Sequence, residues 1–179
     1  MQITTLELNR LNFYRASELH GGLVLGNLVR RVREPGLILN LTRHSAEEVR
    51  HAQLWTETIL EVGGAPRPQA DTYQRRLARI VGAPGTVFRV LALTQVFERR
   101  VFRHFMQHAR MAGTHPVVRR ALEQMLEEEK GHLSWVADWL PLEAQRRGID
   151  LRPVLEEYAL ADTRVYDELM YEYRFRVAA

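Results

Sequence analysis

The chain has 179 residues, 46% of them hydrophobic and 26% charged, a composition that excludes an intrinsically disordered protein. Its 25 basic and 22 acidic residues leave a formal charge of +3, and the basic side chains (24 Arg and one Lys, Lys130) are spread along the whole sequence, so no nucleic-acid partner is expected. There are no cysteines, which excludes disulfides, thiolate zinc sites, thiolate-held iron–sulfur clusters and a cysteine nucleophile, and leaves any metal to histidine and carboxylate ligands.

The N-terminal stretch Met1-Gln-Ile-Thr-Thr-Leu-Glu-Leu-Asn-Arg10 lacks a basic start followed by an apolar run. No apolar segment approaches the roughly 18–20 residues of a membrane span. A cytoplasmic protein without a membrane span is therefore expected. Gly and Pro fall into clusters at Glu34-Pro35-Gly36, Val62 to Pro66, Gly82 to Gly85, Gly113 to Pro116, Leu140-Pro141 and Arg147-Gly148. Between them apolar residues recur at helical spacing and none alternate as in a strand.

In chain order this predicts five long helices within a single domain over 1–179, at about 6–33, 36–62, 86–112, 116–140 and 153–175. A short helix is expected at about 71–81, inside the long 63–85 connection. Pro35, Pro116 and Pro153 stand where a first-turn proline is tolerated. Short turns join the first helix to the second and the third to the fourth, so each pair forms an antiparallel hairpin. The long connection crosses the bundle between the hairpins, and the fifth helix packs outside.

The first helix carries Glu18. The second carries Glu47-Glu48-Val-Arg-His51, the third Glu98, and the fourth Glu128-Glu129-Lys-Gly-His132. A single Glu-x-x-His means little, but the layout repeats. Glu18 precedes Glu48 by 30 residues, Glu98 precedes Glu129 by 31, and the two Glu-x-x-His strings lie 81 apart. The i, i+3 spacing puts Glu and His on one helix face. Glu18 lies about 16 residues before the first turn and Glu48 about 13 after it, so at 1.5 Å per residue they reach similar heights. Glu98 and Glu129 do the same around Gly113. Four carboxylates and two imidazoles thus converge in the bundle core. Bare, such a core is prohibitively unstable; two divalent cations offset its charge. Oxygen plus imidazole nitrogen suits iron or manganese, with zinc and cobalt also able to bind. The alternative register uses Glu47 and Glu128, otherwise expected as outer partners of the site or surface pairs with arginine.

Some residues near these ligands stay open. His44, one turn before Glu48, is expected to be a core or boundary histidine rather than an outer-shell one, and its counterpart is Met125. His20, His104, His108 and His115 do not repeat. Tyr14, one turn from Glu18, is either a core tyrosine or a partner of a ligand carboxylate or of electron transfer. Gly21 and Gly22 either leave room beside the metals or allow close helix contact. Trp55, Trp135 and Trp139 are expected in the core.

With one Glu on each of two helices and a Glu-x-x-His on each of the other two, the chain resembles the ferritin-like diiron-carboxylate superfamily over about residues 6–140. Glu18, Glu48, His51, Glu98, Glu129 and His132 match all six ligand positions. The resemblance implies an all-α antiparallel four-helix bundle with a left-handed crossover between its second and third helices, here with one further C-terminal helix. The layout is similar to bacterioferritins and rubrerythrins, but the cysteine-rich iron module of the latter is absent. Its long crossover is more similar to small diiron hydroxylases such as the demethoxyubiquinone hydroxylases. The residues flanking the ligands in those enzymes are missing, so their substrate is not carried over.

The implied cofactor is two iron ions, alternatively manganese or a mixed Mn/Fe pair. Glu48 and Glu129 would bridge, Glu18 and Glu98 would be terminal or mobile, and His51 and His132 terminal. Beyond these ligands only Tyr14 is a catalytic candidate. The implied activity is oxygenase or oxidase chemistry with O2 or peroxide on a small or apolar organic substrate, fed by an external electron donor, in a homodimer. The alternatives are a ferroxidase or iron-handling protein and a non-catalytic, metal-stabilised helical module.

Overall fold

A computed structural model describes residues 2–174. Six helices follow one another: α1 (Thr5–Val29), α2 (Pro35–Glu61), α3 (Tyr73–Val81), α4 (Val87–Arg110), α5 (Pro116–Arg147) and α6 (Leu151–Glu172). The described residues contain no strand. No helix among them is long and apolar enough to cross a membrane.

Each start is set by local chemistry. Thr4, Thr72 and Thr86 accept backbone N–H groups of their own first turns, Glu34 accepts from Gly36 and Leu37, and Asp150 accepts from Arg152. Pro35 and Pro116 open α2 and α5, where a missing N–H loses no hydrogen bond. The bounds depart from expectation in two places. The first helix stops at Val29, not near 33. The fourth does not end at 140 but continues through Pro141 to Arg147, where Gly148 (φ 63°) closes it and Ile149 N–H reaches Ala144 O at 3.0 Å. Tertiary packing overrides the proline: Leu140, Glu143 and Ala144 are buried, and the residue whose carbonyl loses its partner, Ala137, is half-exposed. The fifth predicted helix corresponds to α6; its predicted last residue, Phe175, lies outside the described residues.

The packing is pairwise. α1 lies along α2 and α4 along α5, with α2 also against α5. The 62–86 connection runs the length of α1. Gly64 abuts Leu8 at one end, Asn12 Oδ1 accepts Arg67 N–H at 2.6 Å, and Arg31 donates to Gly85 O at the other end at 2.7 Å. The α1 and α4 backbones stay apart. α3 and α6, packed on each other, cover that gap. α6 is held by a buried carboxylate: Asp162 accepts from Tyr73 of α3 (2.6 Å) and from Arg100 of α4 (2.8 Å). Its far end is tied to α1, where Arg10 donates to Tyr173 O at 2.7 Å.

The α1–α2 seam is close because of glycine. A Cβ on Gly22 would lie 2.8 Å from Val49 Cγ2 and 3.0 Å from the Ser45 carbonyl, whose own hydroxyl donates to Gly22 O at 2.7 Å. Close helix contact is therefore the role of Gly22. Gly22→Ala is expected to destabilise by about 1–3 kcal/mol through overpacking despite the better helix former. Gly131→Ala, where nothing lies within 4 Å, should instead gain about 1 kcal/mol. Urea unfolding of both variants measures the contrast.

Candidate metal centre

Helix register brings the predicted side chains together. Glu18 (α1), Glu48 and His51 (α2), Glu98 (α4), and Glu129 and His132 (α5) are all buried. They form two overlapping groups whose candidate donor atoms lie within 4.8 Å of one another. One is His44, Glu48, Glu98 and His132; the other is Glu48, His51, Glu129 and His132. Glu48 and His132 belong to both. Glu18 stands at the edge, outside both groups, with Oε2 at 3.7 Å from His51 Nδ1.

The two halves cross over. His51 Nδ1 is 3.2 Å from Glu129 Oε1 on the opposite hairpin, and His132 Nδ1 is 3.3 Å from Glu48 Oε1 and 3.2 Å from Glu129 Oε2. The outer ring nitrogens cross as well: His51 Nε2 meets Glu128 at 3.0 Å and His132 Nε2 meets Glu47 at 2.8 Å. A carboxylate on the outer nitrogen fixes the ring and leaves Nδ1 facing inward. Glu47 and Glu128 are thus outer partners, and Glu128 also pairs with Arg50 at 2.8 Å.

His44 is buried, as expected of a core histidine, but it belongs to the site. It is not an isolated core histidine: Nε2 lies 3.0 Å from Glu98 Oε1 and 3.3 Å from Glu48 Oε1, and its ring lies 3.9 Å from that of His132. Its pattern His44-x-x-x-Glu48-x-x-His51 places three donors on one helix face. That was the available signal, and the lack of a histidine at Met125 masked it. Tyr14 departs from one expectation too. Its hydroxyl reaches no ligand carboxylate but His104 Nε2 (2.6 Å) and His108 Nδ1 (3.1 Å). Those two histidines, which looked unremarkable in the sequence, join it in a buried network. Trp55 is in the core, with Trp135 and Trp139 packed against it.

Gly21 serves the site directly. A Cβ there would sit 2.6 Å from Glu48 Oε2, so the absent methyl is the space that this carboxylate occupies.

Burial acts against every charge here, and the outcome is decided by neighbours. Burial, with the Glu48 and Glu129 carboxylates nearby, lifts Glu18 to about 8. Glu98 is also raised, by burial and by Glu129 and Glu48. Burial opposes charge on the histidines, yet the surrounding carboxylates overrule it and hold His44 at about 9, His51 at about 11 and His132 at about 12. Burial also works to raise Glu48 and Glu129, but the imidazoles beside them keep both below the usual range. Without a cation, protons on the histidines and on Glu18 carry the compensating charge. Neither nitrogen of His44 nor either oxygen of Glu98 has an aligned hydrogen bond, close as they are. Four carboxylates and three imidazoles suit a pair of divalent first-row ions.

The four carboxylates also line a cavity of about 50 Å³. Its walls come from α1, α3, α4 and α6, among them Phe13, Tyr73, Phe97, Val101, Leu169 and Met170. The three histidines of the site are not among its lining residues. The centre therefore has a histidine face on α2 and α5 and a carboxylate face that opens onto an apolar space. The chain matches no known family model, no curated protein and no solved structure.

Raised histidines stabilise the fold fully below their ordinary value of 6.5, and lose that contribution as pH rises through the folded values. A raised carboxyl such as Glu18 weakens the fold over the interval from 4.5 to about 8. Both effects act in one direction. The metal-free protein, kept so by a chelator, is expected to lose stability steadily as pH rises through about 8 and 9. Urea midpoints across that range measure it, and Glu98→Gln should flatten the His44 part.

Proposed function

We propose that this chain is a dinuclear-metal oxidoreductase of the ferritin-like diiron-carboxylate type, holding two iron ions, or manganese or a mixed Mn/Fe pair. It would act with O2 or peroxide on a small apolar organic molecule. The observation that carries the reading is the buried set of four carboxylates and three imidazoles, arranged as two overlapping groups that share Glu48 and His132. Two helical hairpins joined by a connection along the length of α1 support a ferritin-like topology.

Glu48 and His132 fall in both groups, Glu48 being the carboxylate that could bridge and His132 a ligand to one ion through Nδ1. His44 and Glu98 would complete one site, and His51 and Glu129, with Glu18 at the edge, the other. Bound there, such a pair supplies the electrons for reducing O2 or peroxide and passes oxidising equivalents to the substrate. The chain's own part is geometric and electrostatic. Glu47 and Glu128 hold the His132 and His51 rings in register. All four carboxylates line the cavity, and Glu18 and Glu98 would be the terminal ones, able to shift as a ligand enters. The apolar wall excludes water and takes an apolar substrate beside the carboxylate face. Electrons come from an external donor.

The largely apolar wall opposite the carboxylates suits an organic substrate, while ferroxidase chemistry is the second reading. Size in solution separates the two: a small oligomer such as a dimer fits the enzyme, a large shell the ferroxidase.

Metal analysis of protein from its native host, with anaerobic Fe2+ titration, is expected to give two ions per chain. Affinity should rise with pH, because His44, His51 and His132 are protonated until a cation displaces their protons. Uptake in weakly buffered solution should therefore release protons, approaching one per histidine. Glu47→Ala or Glu128→Ala should weaken binding about 10–100-fold. Gly21→Ala and His44→Ala should each lower the stoichiometry or affinity. Unchanged metal content in His44→Ala and Glu48→Ala would overturn the assignment.

A further inference from the structure

The cavity beside the carboxylates admits only the end of an organic molecule. An engineered apolar cavity of about 150 Å³ holds one benzene ring. The carboxylate cavity measures about 50 Å³, room for O2 but not for a whole ring. A larger hollow lies next to it in the α1–α4 gap. This groove of about 400 Å³ is walled by Val24 and Leu28 of α1, Leu77 and Ala78 of α3, and Val90 and Leu93 of α4. Gln74 of α3 and Phe97 of α4 line both spaces and so form the partition between them.

Both partition residues are held from behind. The Phe97 ring stacks on Tyr73 at 5.9 Å, and Tyr73 is itself fixed to Asp162 at 2.6 Å. Gln74 Nε2 donates to Ser17 O at 2.9 Å. A backbone carbonyl only accepts, so the carboxamide nitrogen must face Ser17 and the oxygen is the atom left over. That oxygen, Oε1, is buried and has no hydrogen-bond partner among the described residues. A buried acceptor without a donor costs stability. Gly21 fixes its place beside the centre: the point where a Cβ would stand is 3.4 Å from Gln74 Nε2 and 2.6 Å from Glu48 Oε2. The carboxamide and the Glu48 carboxylate thus meet over one missing methyl.

We infer that the groove between α1, α3 and α4 is the seat of the organic substrate, and that Gln74 Oε1 accepts a hydrogen bond from it. The substrate class is then an uncharged apolar molecule bearing an N–H or O–H group. Its body lies against the aliphatic walls of the groove. Its donor group turns inward to the partition, where Gln74 holds it next to Glu48 and leaves the inner cavity to the oxidant and the reacting end. Gln74 is a positioning residue and ligates nothing. That the molecule is oxidised rests on the function proposed above; that it binds here does not.

The other polar groups of the groove do not compete for this role. Arg31 and Arg75 are exposed, Arg31 donates to Gly85 O at 2.7 Å, and His20 meets Thr72 Oγ1 at 2.5 Å. A plain hydrocarbon would leave Gln74 Oε1 unpaired, and a ketone or ether would face it lone pair to lone pair. A site with an unfilled acceptor therefore selects by hydrogen bonding as well as by shape. Gln74 is only half-buried and sits on a flexible stem, so it is the member of the partition that yields to an entering group, while Phe97 stays stacked on Tyr73.

Equilibrium binding tests this without turnover or a bound metal. Indole and indene are alike in size and differ by one N–H. Calorimetry measures both on full-length protein, with a chelator and again with Zn2+. Indole is expected to bind about tenfold tighter than indene, the worth of one neutral hydrogen bond. Gln74→Leu should erase that preference. Ala78→Phe, which fills the groove, should weaken both probes about tenfold or more while Fe2+ uptake stays as in the parent protein. Equal affinities in the parent, a preference that survives Gln74→Leu, binding untouched by Ala78→Phe, or no binding of either probe at millimolar concentration each overturns the proposal. If Gln74→Leu does not fold, the selectivity of the parent and the effect of Ala78→Phe decide it. A failure of the metal reading would be seen separately, in the Fe2+ titration.

Discussion

Four carboxylates sharing one dry interior is the condition around which the rest of this protein is organised. Like charges at these separations repel, and burial removes the water that would screen them. Positive charge must therefore be brought in by the fold, by protons or by cations. The lifted histidines and the lifted Glu18 are the proton solution. A pair of divalent ions is the other. Each explains why three imidazoles stand among the carboxylates, and why their outer nitrogens are held by Glu47 and Glu128. The helices meet the same demand, because a bundle aims side chains from four directions at one level.

The ends of the site are unequal. His44 adds a nitrogen beside Glu98 and Glu48, while the corresponding position on α5 is the apolar Met125. The two donor groups nonetheless hold two imidazoles each, His44 with His132 and His51 with His132. The sides are unequal as well. α2 and α5 close one side tightly with the histidines, whereas α1 and α4 leave a gap that α3 and α6 roof over. That asymmetry lets a crowded centre keep an approach for a small molecule.

Much of this was legible in the amino-acid order. The doubled Glu-x-x-His, each preceded by a lone Glu at 30 or 31 residues, marks the helices, their pairing and the common level of the ligands. What stayed hidden follows a pattern. Repeat logic finds what both halves share, so it passed over His44, which only one half has. It passed over His104 and His108 for the same reason; their meaning comes from a partner, Tyr14, 90 and 94 residues away. Pro141 looked like a terminus because local rules forbid it mid-helix, and the buried Leu140, Glu143 and Ala144 outweigh those rules. The marginal place of Glu18 depends on side-chain angles that no spacing reveals. The two glycines became distinguishable only once Glu48 and Ser45 were seen against them.

The latch at Asp162 implies a division of labour along the chain. Every group in the two tight clusters comes from α2, α4 and α5, yet much of the roof over the carboxylates is α6, fastened by one carboxylate to α3 and α4. Ligation and access are thereby written on separate stretches of sequence. On the function proposed here, drift in the last helix would resize the approach while the ligating side chains stayed untouched, leaving specificity free to evolve faster than reactivity.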